Sequence, residues 1–530
     1  MDEHPHHDGF DGFGVEALAG RPGVKWRRVA PDGAIAAWVA DMDFPQCPPV
    51  AARLRELLDI GDLGYPDWLS GTPLRAAFAE RMAASFGWKP DPAAVREVTD
   101  IVQGLQIALH LVTAPGDAVA LHTPAYPPFL HSVTDAGRRL VGVPMTLDGA
   151  DGADGAGGAR GARWTFDLQA LDDAVARAKA TVFVLVNPHN PTGRVFTREE
   201  LTQIADVAAR HNLLVVSDEI HSDLVYAPHR HVPFASLSDD AAARTVTLTS
   251  ASKAFNLAGL RCAVSHVGPA DLLARRDALP PDLFGAPNLF GVEAALAAWS
   301  PASRPWSQAL IEHLDANRRR VLAAAGAELP GVRILEPEGT YLAWLDVAGT
   351  GLTTAALREV GVRLTPGPDF GPGGEGFVRL NFATSAEVLE EILARLARAL
   401  NVATPSAPPS TATAMSEIIW FMSRMRVVTL SSAEMASVAA FSTASTRRTI
   451  VSEERAASSA RFFTSAATTL NPRPALPARA ASMVALSASS RVWAAICVIR
   501  STLVRISSVL ARSEFTVCVA RDASLTASRA

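Results

Sequence analysis

Residues 181–193 have the sequence Thr-Val-Phe-Val-Leu-Val-Asn-Pro-His-Asn-Pro-Thr-Gly, in which a mostly apolar run leads into a turn. Similar apolar runs occur at 213–216, 245–248 and 263–267, each bounded by polar or turn-forming residues. Continuous runs of this length are typical of strands that are buried on both faces of a sheet. They predict an α/β fold with a mostly parallel central sheet and covering helices.

The segments between these runs carry signals for helices. Thr197-Arg-Glu-Glu200 has the Thr-x-x-Glu pattern of a capping box, and Leu201 and Ile204 follow at helical spacing. Residues 98–102 predict another strand, which would run into a turn at Gly104-Leu105-Gln106 and then into a helix. Because strands alternate with helices, we expect ligands to bind at the carboxyl ends of the strands. Further strands are predicted at 119–121, 340–346 and 377–381.

Three polar segments follow predicted strands directly. They are Asn187-Pro-His-Asn-Pro-Thr-Gly193, Ser217-Asp-Glu-Ile-His-Ser-Asp-Leu224 and Ser250-Ala-Ser-Lys253, with Arg261 eight residues later. A turn, a helix cap or a solvated lysine would explain each segment taken alone. Together they bring an amide, a carboxylate and an amine to one edge of one sheet, which predicts a single site there.

Pyridoxal 5'-phosphate is the cofactor that this combination of groups suits. Lys253 can supply the amine that bonds to its aldehyde, and Asp218 the buried carboxylate that keeps its ring nitrogen protonated. The amide of Asn190 can donate to its phenolic oxygen. A nucleotide is the alternative ligand, but neither GxGxxG nor GxxxxGK(S/T) follows any of these strands.

The phosphate of that cofactor needs cations, hydroxyls and N–H groups. Ser250, Ser252 and Arg261 flank the lysine at suitable spacing. Backbone amides of Gly104 and Leu105, in the predicted turn at a helix N-terminus, can bind the same phosphate. These five residues form the predicted phosphate site.

Residues 1–400 resemble the fold-type I pyridoxal-phosphate enzymes of the class I/II aminotransferase superfamily in the order and spacing of these groups. Within it, Trp38-Val-Ala-Asp-Met-Asp-Phe44, Gly64-Tyr-Pro66 and the segment 218–224 are similar to the cystathionine β-lyase or cysteine–sulfur β-lyase branch. Aminotransferases of the superfamily commonly have a tyrosine at the position of His221, where it helps to hold the cofactor oxygen. Histidine there, followed two residues later by Asp-Leu, is typical of the β-lyase branch.

The resemblance implies roles for residues that the strand ends alone do not reveal. Tyr126 would stack on the pyridine ring, and Arg379 would grip the α-carboxylate of an amino-acid substrate by a bidentate pair. Ala40 and Asp41 would line the substrate pocket. Tyr65 would be donated across a dimer interface to the phosphate in the neighbouring subunit. We therefore expect a homodimer with shared active sites.

Two reactions remain open on this set of residues. In both, Lys253 removes the Cα proton of the substrate as a general base. A β-lyase would then release a thiol from L-cystathionine or a related cysteine S-conjugate, with pyruvate and ammonia. An aminotransferase would instead leave the amino group on the cofactor. His221 and the segment 38–44 favour the lyase.

A DNA-binding regulator is a third, non-enzymatic hypothesis, because some members of this superfamily are fused to DNA-binding modules. That arrangement needs a basic helix-turn-helix segment, and no such pattern is recognisable. The formal net charge is −5, which argues against nucleic acid or an acidic membrane surface as the main partner. We therefore expect neither as a partner.

Composition divides the chain of 530 residues into four segments. Residues 1–45 are predicted to form an N-terminal arm that lines the substrate pocket, and 46–290 a large cofactor-binding domain with a Gly-rich surface loop at 148–163. Residues 291–400 are predicted to form a smaller domain. Residues 401–530 are rich in Ala, Ser and Arg and contain no Gly, Lys, His or Tyr. Since a globular domain needs glycine for its turns, this tail is predicted to be disordered.

The four cysteines are widely spaced and give neither a disulfide framework nor a zinc-binding pair, so we expect no metal. No apolar run reaches the roughly 18 residues that span a bilayer. The first residues lack the basic and apolar regions of a signal peptide. These features predict a cytoplasmic enzyme.

Overall fold

The computed structural model describes residues 9–29, 32–68, 71–148 and 162–403, and an eight-stranded sheet lies at its centre. The predicted surface loop falls largely outside the described residues, but Asp148 and Arg163 at its two ends pair as neighbouring strands. The predicted tail also falls outside them, except that the last helix continues to Ala403.

The elements are named here in chain order. The strands are β1 (Ile35–Ala36), β2 (Val95–Val98), β3 (Ala118–Thr123), β4 (Arg139–Asp148), β5 (Arg163–Phe166), β6 (Val182–Val186), β7 (Leu214–Asp218), β8 (Thr245–Thr249), β9 (Ala263–Val267), β10 (Arg333–Ile334), β11 (Leu342–Asp346), β12 (Val362–Arg363), β13 (Thr365–Pro366) and β14 (Phe377–Asn381). The helices are α1 (Val15–Ala19), α2 (Val24–Arg27), α3 (Pro48–Ile60), α4 (Leu74–Phe86), α5 (Ile101–Val112), α6 (Pro127–Thr134), α7 (Leu168–Ala178), α8 (Arg198–Arg210), α9 (Asp239–Ala243), α10 (Ala270–Asp277), α11 (Leu289–Trp299), α12 (Arg304–Ala327), α13 (Thr354–Glu359) and α14 (Ala386–Ala403).

The central sheet has the strand order β2-β9-β8-β7-β6-β3-β4-β5. Strands β4, β3, β6, β7 and β8 run parallel, while β9 and β5 pair antiparallel with their neighbours. This confirms the predicted α/β fold with a mostly parallel sheet. Val186 pairs with Asp218, and Asp218 with Leu248, so the carboxyl ends of β6, β7 and β8 meet at one edge.

Both faces of the central strands are buried, as the continuous apolar runs predict. Phe183 and Val215 belong to the core under α7 and α8, whereas Val184 and Val216 belong to the core under α5, α6 and α10. The predicted capping box of α8 is also present, because Thr197 accepts from the backbone N–H of Glu200 while the Glu200 carboxylate accepts from that of Thr197.

The prediction of a strand at 98–102 is wrong. Strand β2 ends at Val98, because the side chain of Asp100 accepts from the N–H of Gln103 at 2.8 Å and starts α5 at the next residue. Gly104 and Leu105 consequently lie in the interior of α5 rather than in a turn at its N-terminus. The N–H of Gly104 donates to the carbonyl of Asp100 at 3.1 Å and cannot also serve a ligand.

Gly104 has a packing role instead. A Cβ at this position would lie 2.6 Å from a methyl carbon of Leu248, which is closer than real side-chain contacts allow. Glycine therefore lets α5 approach β8 closely, and this approach brings the first turn of α5 to the carboxyl end of the sheet.

A second sheet has the order β10-β11-β14-β13. All pairings in it are antiparallel, and α12 and α14 pack nearby. The predicted boundary at residue 290 falls inside α11, and the described residues form one compact unit. The division into a large and a small domain stays a prediction. No helix in the described part of the chain is long and apolar enough to cross a membrane.

Candidate active site

A cavity lies where the carboxyl ends of β6, β7 and β8 meet the first turn of α5. It is lined by nine of the residues that the sequence singles out, namely Ala40, Tyr126, Asn190, Asp218, His221, Ser250, Ser252, Lys253 and Arg261. Arg379 and Asp41 contact members of this group directly. Gly104, Leu105 and Tyr65 are not among the lining residues.

Lys253 follows β8 and reaches the backbone of the N-terminal arm. Its Nζ donates to the carbonyl oxygen of Ala40 at 2.6 Å and lies 4.0 Å from Oδ1 of Asp41. Burial lowers the pKa of Lys253, and the Arg379 charge acts in the same direction, while Asp41 and Asp218 oppose it. A lysine of lowered pKa carries a larger share of neutral amine, which is the nucleophilic and basic form.

Asp218 ends β7 and is almost completely buried. Its Oδ1 accepts from the backbone N–H of Ile220 at 3.0 Å. Burial raises the pKa of Asp218 to about 7, against the lowering effects of that backbone bond and of Lys253. A buried carboxyl group of this kind gains strongly from a cationic N–H partner, which a protonated ring nitrogen would provide.

Arg379 on β14 joins the second sheet to the cavity. Its Nη1 donates to Oδ1 of Asn190 at 2.9 Å, and its Nη2 donates to the carbonyl of Trp38 at 2.8 Å. The guanidinium lies 4.9 Å from the ring centre of Phe370. Burial lowers the pKa of Arg379 to about 10, so the side chain stays charged at neutral pH. Its Nε has no hydrogen-bond partner among the described residues.

His221 is buried and lies three residues after Asp218, the last residue of β7. Its Nδ1 has no hydrogen-bond partner among the residues described, and its ring meets Tyr341 edge to face at 6.0 Å. Burial lowers the pKa of His221 to about 3, and the charges of Lys253 and Arg379 add to this effect. The imidazole is therefore neutral at physiological pH, and it belongs to a residue that lines the cavity.

The residues predicted for the phosphate lie around the start of α5. The hydroxyl of Ser250 donates to the carbonyl of Cys262 at 2.6 Å and accepts from the N–H of Ser252 at 3.0 Å. Arg261 is mostly exposed, and its Nη2 lies 2.5 Å from a carboxylate oxygen of Asp100. This cluster is open to solvent on one side.

The sequence analysis missed the amides that face this cluster. Ile101 and Val102 form the first turn of α5 and line the cavity, and first-turn N–H groups have no acceptor within their own helix. They occupy the place that the prediction gave to Gly104 and Leu105. The signal that could have located them is Asp100, a residue type that favours the N-cap position.

The segment 38–43 crosses the cavity and is held by side chains from distant parts of the chain. Asn381 donates to the carbonyls of Val39 and Asp41 at 2.5 and 2.6 Å. Lys25 donates to the carbonyl of Asp41 at 3.0 Å and to the carboxylate of Asp43 at 2.8 Å. Ala40 lines the cavity, but the role of Ala40 and Asp41 in binding substrate stays a prediction, and the contacts of Asn381 and Lys25 were not predicted.

The two remaining predicted residues are tyrosines with different environments. Tyr126 precedes α6, lines the cavity and is partly buried, and this burial raises the pKa of its hydroxyl. Tyr65 is fully exposed and lies outside the cavity lining. A single chain does not test whether Tyr65 reaches a neighbouring subunit, so that role stays a prediction.

The donors of the cavity fit pyridoxal 5'-phosphate. One cavity is lined by an amine (Lys253), a buried carboxyl group (Asp218), a neutral imidazole (His221) and the first turn of a helix (Ile101 and Val102), which are groups that this cofactor can use. The described residues contain no cluster of three or more His, Cys, Asp or Glu that could hold a metal ion.

Comparison with known proteins finds relatives over most of this chain. Residues 39–396 match the family described as aminotransferase class I and II. The cystathionine β-lyase PatB of Bacillus subtilis is 36% identical over 399 residues, which cover 73% of this chain and 98% of that protein. The cystathionine β-lyase of Corynebacterium glutamicum is 34% identical over 391 residues, and this match covers 73% of this chain and 99% of that protein.

A solved structure shares the fold over the same part of the chain. The crystal structure of cystalysin from Treponema denticola, which contains a pyridoxal 5'-phosphate cofactor, superposes with a TM-score of 0.67 at 26% sequence identity. The match covers 74% of this chain and all of that one.

Proposed function

Because this chain belongs to the class I and II aminotransferase family, we propose that its cavity cleaves the carbon–sulfur bond of L-cystathionine or a related cysteine S-conjugate. It has the fold of the type I pyridoxal-phosphate enzymes and is a carbon–sulfur lyase that depends on that cofactor. The products are pyruvate, ammonia and a thiol. The single observation that carries the assignment is that Lys253 and Asp218 line one cavity, while Arg379 donates to Asn190 in the lining of the same cavity.

Each cavity residue has a proposed task in holding the cofactor. Lys253 bonds to its aldehyde carbon, Asp218 accepts from its ring N–H, and Asn190 donates to its phenolic oxygen. The first-turn amides of α5 bind its phosphate together with Ser250, Ser252 and Arg261, and Tyr126 stacks on its ring. When bound, the cofactor draws electrons from the substrate Cα, which makes the Cα proton acidic and allows a thiolate to leave from Cβ.

In this proposal Lys253 moves the proton, once the amino group of the substrate has displaced it from the cofactor. Its lowered pKa makes the neutral amine available to accept the Cα proton. The resulting ammonium has acceptors at hand, because the carbonyl of Ala40 lies 2.6 Å and the carboxylate of Asp41 4.0 Å from Nζ. The same proton can then be delivered to the departing sulfur.

Arg379 orients the substrate. Its guanidinium is buried, charged and held by Asn190 and by the carbonyl of Trp38. A substrate carboxylate offers two charged acceptor oxygens, which bind a guanidinium more strongly than neutral oxygens do. Gripping the carboxylate fixes the direction in which Cα–H and Cβ–S point, which is the requirement for elimination.

His221 supports the lyase over the aminotransferase. Histidine at this position, followed two residues later by Asp-Leu, is typical of the β-lyase branch. Aminotransferases of the superfamily commonly carry tyrosine here, whose hydroxyl would donate to the cofactor oxygen. The alternative function, transfer of the amino group to a keto acid, uses the same Lys253, so the two reactions are distinguished by their relative rates.

The identity of the leaving thiol is tested with a substrate series. L-Cystathionine, L-cysteine and an S-alkyl-L-cysteine are each incubated with the holoenzyme, and the rates of thiol and pyruvate formation are compared. We expect pyruvate from all three and the highest kcat/KM for L-cystathionine. Thiol release from none of them would contradict the assignment, and a preference for L-cysteine would redefine the substrate.

We also propose a homodimer in the cytoplasm. The region around Tyr65 exposes large apolar side chains, with Leu58 60% and Ile60 62% exposed, as expected of a surface that a second subunit covers. Cys47 and Cys262 are unpaired and buried, which suits a reducing compartment. Size measurement in solution tests the dimer.

A further inference from the structure

One backbone oxygen in the cavity serves two side chains. The carbonyl of Ala40 accepts from the Lys253 amine at 2.6 Å and from the hydroxyl of Tyr341 at 2.8 Å. Tyr341 is 1% exposed and comes from the entry to β11, about three hundred residues away along the chain. The hydroxyl therefore competes with the amine for the same acceptor.

The fold fixes Tyr341 by an unusual backbone conformation. Thr340, the preceding residue, has φ +67°, in the left-handed region that β-branched residues rarely adopt. Its N–H donates to the carbonyl of Leu224 at 2.7 Å, and its own carbonyl accepts from the hydroxyl of Tyr226 at 2.6 Å. Thr340 is fully buried, so these contacts hold the strained conformation. Strain of this kind concentrates at functional sites.

The consequence for Lys253 follows from electrostatics. A hydrogen bond to an ammonium stabilises its charged form. The hydroxyl of Tyr341 places a partially positive hydrogen on the same oxygen, so it reduces the negative potential that the ammonium meets. Burial raises the pKa of Tyr341 well above its ordinary value, so the hydroxyl remains a donor at every working pH.

We propose that Tyr341 is a positioning residue which shares the Ala40 carbonyl with Lys253, weakens the hold of that carbonyl on the ammonium, and keeps the amine available as a base. The proposal rests on the role of Lys253 proposed above. Other groups also face this amine, namely the carboxyl groups of Asp41 and Asp218, the guanidinium of Arg379 and the neutral imidazole of His221. Tyr341→Phe leaves all four in place and removes only the hydroxyl.

The test measures how fast cofactor-free protein captures pyridoxal 5'-phosphate between pH 6.5 and 10.5. Only the neutral amine bonds to the aldehyde carbon, with release of one water, so the rate constant rises through the pKa of Lys253. Capture is followed by the visible absorbance of the bound cofactor, independently of turnover. For Tyr341→Phe we expect the inflection to move up by about half to one pH unit, which makes capture at pH 8 roughly three- to tenfold slower.

Thr245→Val is the matched control. It also removes one buried hydroxyl with one hydrogen bond, to the carbonyl of Ala241 at 2.6 Å, but it lies at the amino end of β8, opposite the strand ends that form the cavity. We expect its capture profile to match the wild type even where its thermal stability falls. An unshifted profile in Tyr341→Phe, or an equal shift in Thr245→Val, would overturn the proposal.

Capture is also measured for two further variants, one in case Tyr341→Phe is unfolded and one that tests Lys253 itself. If circular dichroism shows that Tyr341→Phe is unfolded, Tyr341→Met replaces it, because the flexible methionine side chain can fill the buried space without a hydroxyl. An upward shift is expected there too, and its absence would overturn the proposal. Lys253→Ala must abolish capture, and if it does not, the role proposed for Lys253 is wrong. If Lys253→Ala abolishes capture but Tyr341→Phe shows no shift, only the positioning role of Tyr341 is overturned.

Discussion

Arg379 and Asn190 are joined by a hydrogen bond of 2.9 Å between Nη1 and Oδ1, which links β14 of the second sheet to the turn after β6. The residue proposed to grip the substrate carboxylate therefore contacts the residue proposed to hold the cofactor oxygen. Because the Asn190 oxygen is engaged by Arg379, its N–H2 group is the part left to donate to a ligand. Substrate position and cofactor position are thus set by one shared contact.

This contact makes Arg379→Lys a sensitive test. Lysine keeps the positive charge but cannot hold Asn190 and a carboxylate at once in a planar fork. We expect kcat/KM for L-cystathionine to fall by about 100-fold, equivalent to roughly 2.7 kcal/mol. Arg358→Lys, an exposed arginine on α13, is the control and should behave as the wild type. A fall of less than threefold in Arg379→Lys would remove Arg379 from the carboxylate site.

The raised pKa of Asp218 should make the free energy of unfolding of the cofactor-free protein depend on pH. Burial raises its pKa to about 7, above the ordinary value of 3.8. Between these two pH values the carboxyl group is protonated in the folded protein and ionised in the unfolded chain. The protonated group therefore adds to the free energy of unfolding at pH 4, and this contribution is lost as pH rises through 7. The whole effect is on the order of 4 kcal/mol.

The measurement is urea unfolding of wild type and Asp218→Asn at several pH values from 4.5 to 8. The difference between the two proteins isolates Asp218 from the buried histidines, which titrate in the same range. We expect the variant to gain stability relative to the wild type as pH rises. A constant difference across this range would show that the carboxyl group is not desolvated.

His221→Tyr tests the choice of reaction. Tyrosine restores the donor that aminotransferases of the superfamily commonly carry at this position. We expect the ratio of β-elimination to amino-group transfer to fall by at least threefold, measured as pyruvate formed from L-cystathionine against keto-acid-dependent transfer. His229→Tyr, outside the cavity lining, is the control. An unchanged ratio would show that His221 does not influence the partition.

Shared active sites are tested with hybrid dimers. Lys253→Ala and Tyr65→Phe subunits are each expected to be impaired, but a mixed dimer would contain one site with both residues intact. On 1:1 mixing we expect activity to recover toward about one quarter of the wild type, because half of the dimers are hybrids and each hybrid has one intact site of two. No recovery, with hybrid dimers shown to form, would place Tyr65 in the site of its own subunit or outside any site.

The sequence predicted the parts of the site that lie at strand ends. Asn190 and Lys253 follow β6 and β8, and Asp218 ends β7, so a local pattern and the rule for parallel sheets suffice to bring them together. Gly104 was misplaced because the apolar pair Ile101-Val102 continues the apolar pattern of β2, although it belongs to the first turn of a helix. A short apolar run does not by itself distinguish the two structures.

The residues that were missed contribute through long-range contacts. Carbonyl groups of the segment 38–43 accept hydrogen bonds from Tyr341, Asn381 and Lys25. Every residue has a backbone carbonyl, so the sequence does not indicate which side chain will bind it. Strands β4 and β5 were also missed, because the low-complexity segment between them hides the pairing of Asp148 with Arg163. Such contacts depend on the fold as a whole and not on any local pattern.

The most direct test of the central claim is incubation of the holoenzyme with L-cystathionine in the absence of any keto acid. We predict catalytic formation of pyruvate and homocysteine in equal amounts over many turnovers. Amino-group transfer from common amino acids to an added keto acid should be at least tenfold slower, a difference of about 1.4 kcal/mol in barrier. Pyruvate formation that stops after one turnover without a keto acid, or transfer that is equal or faster, would contradict the account and identify an aminotransferase.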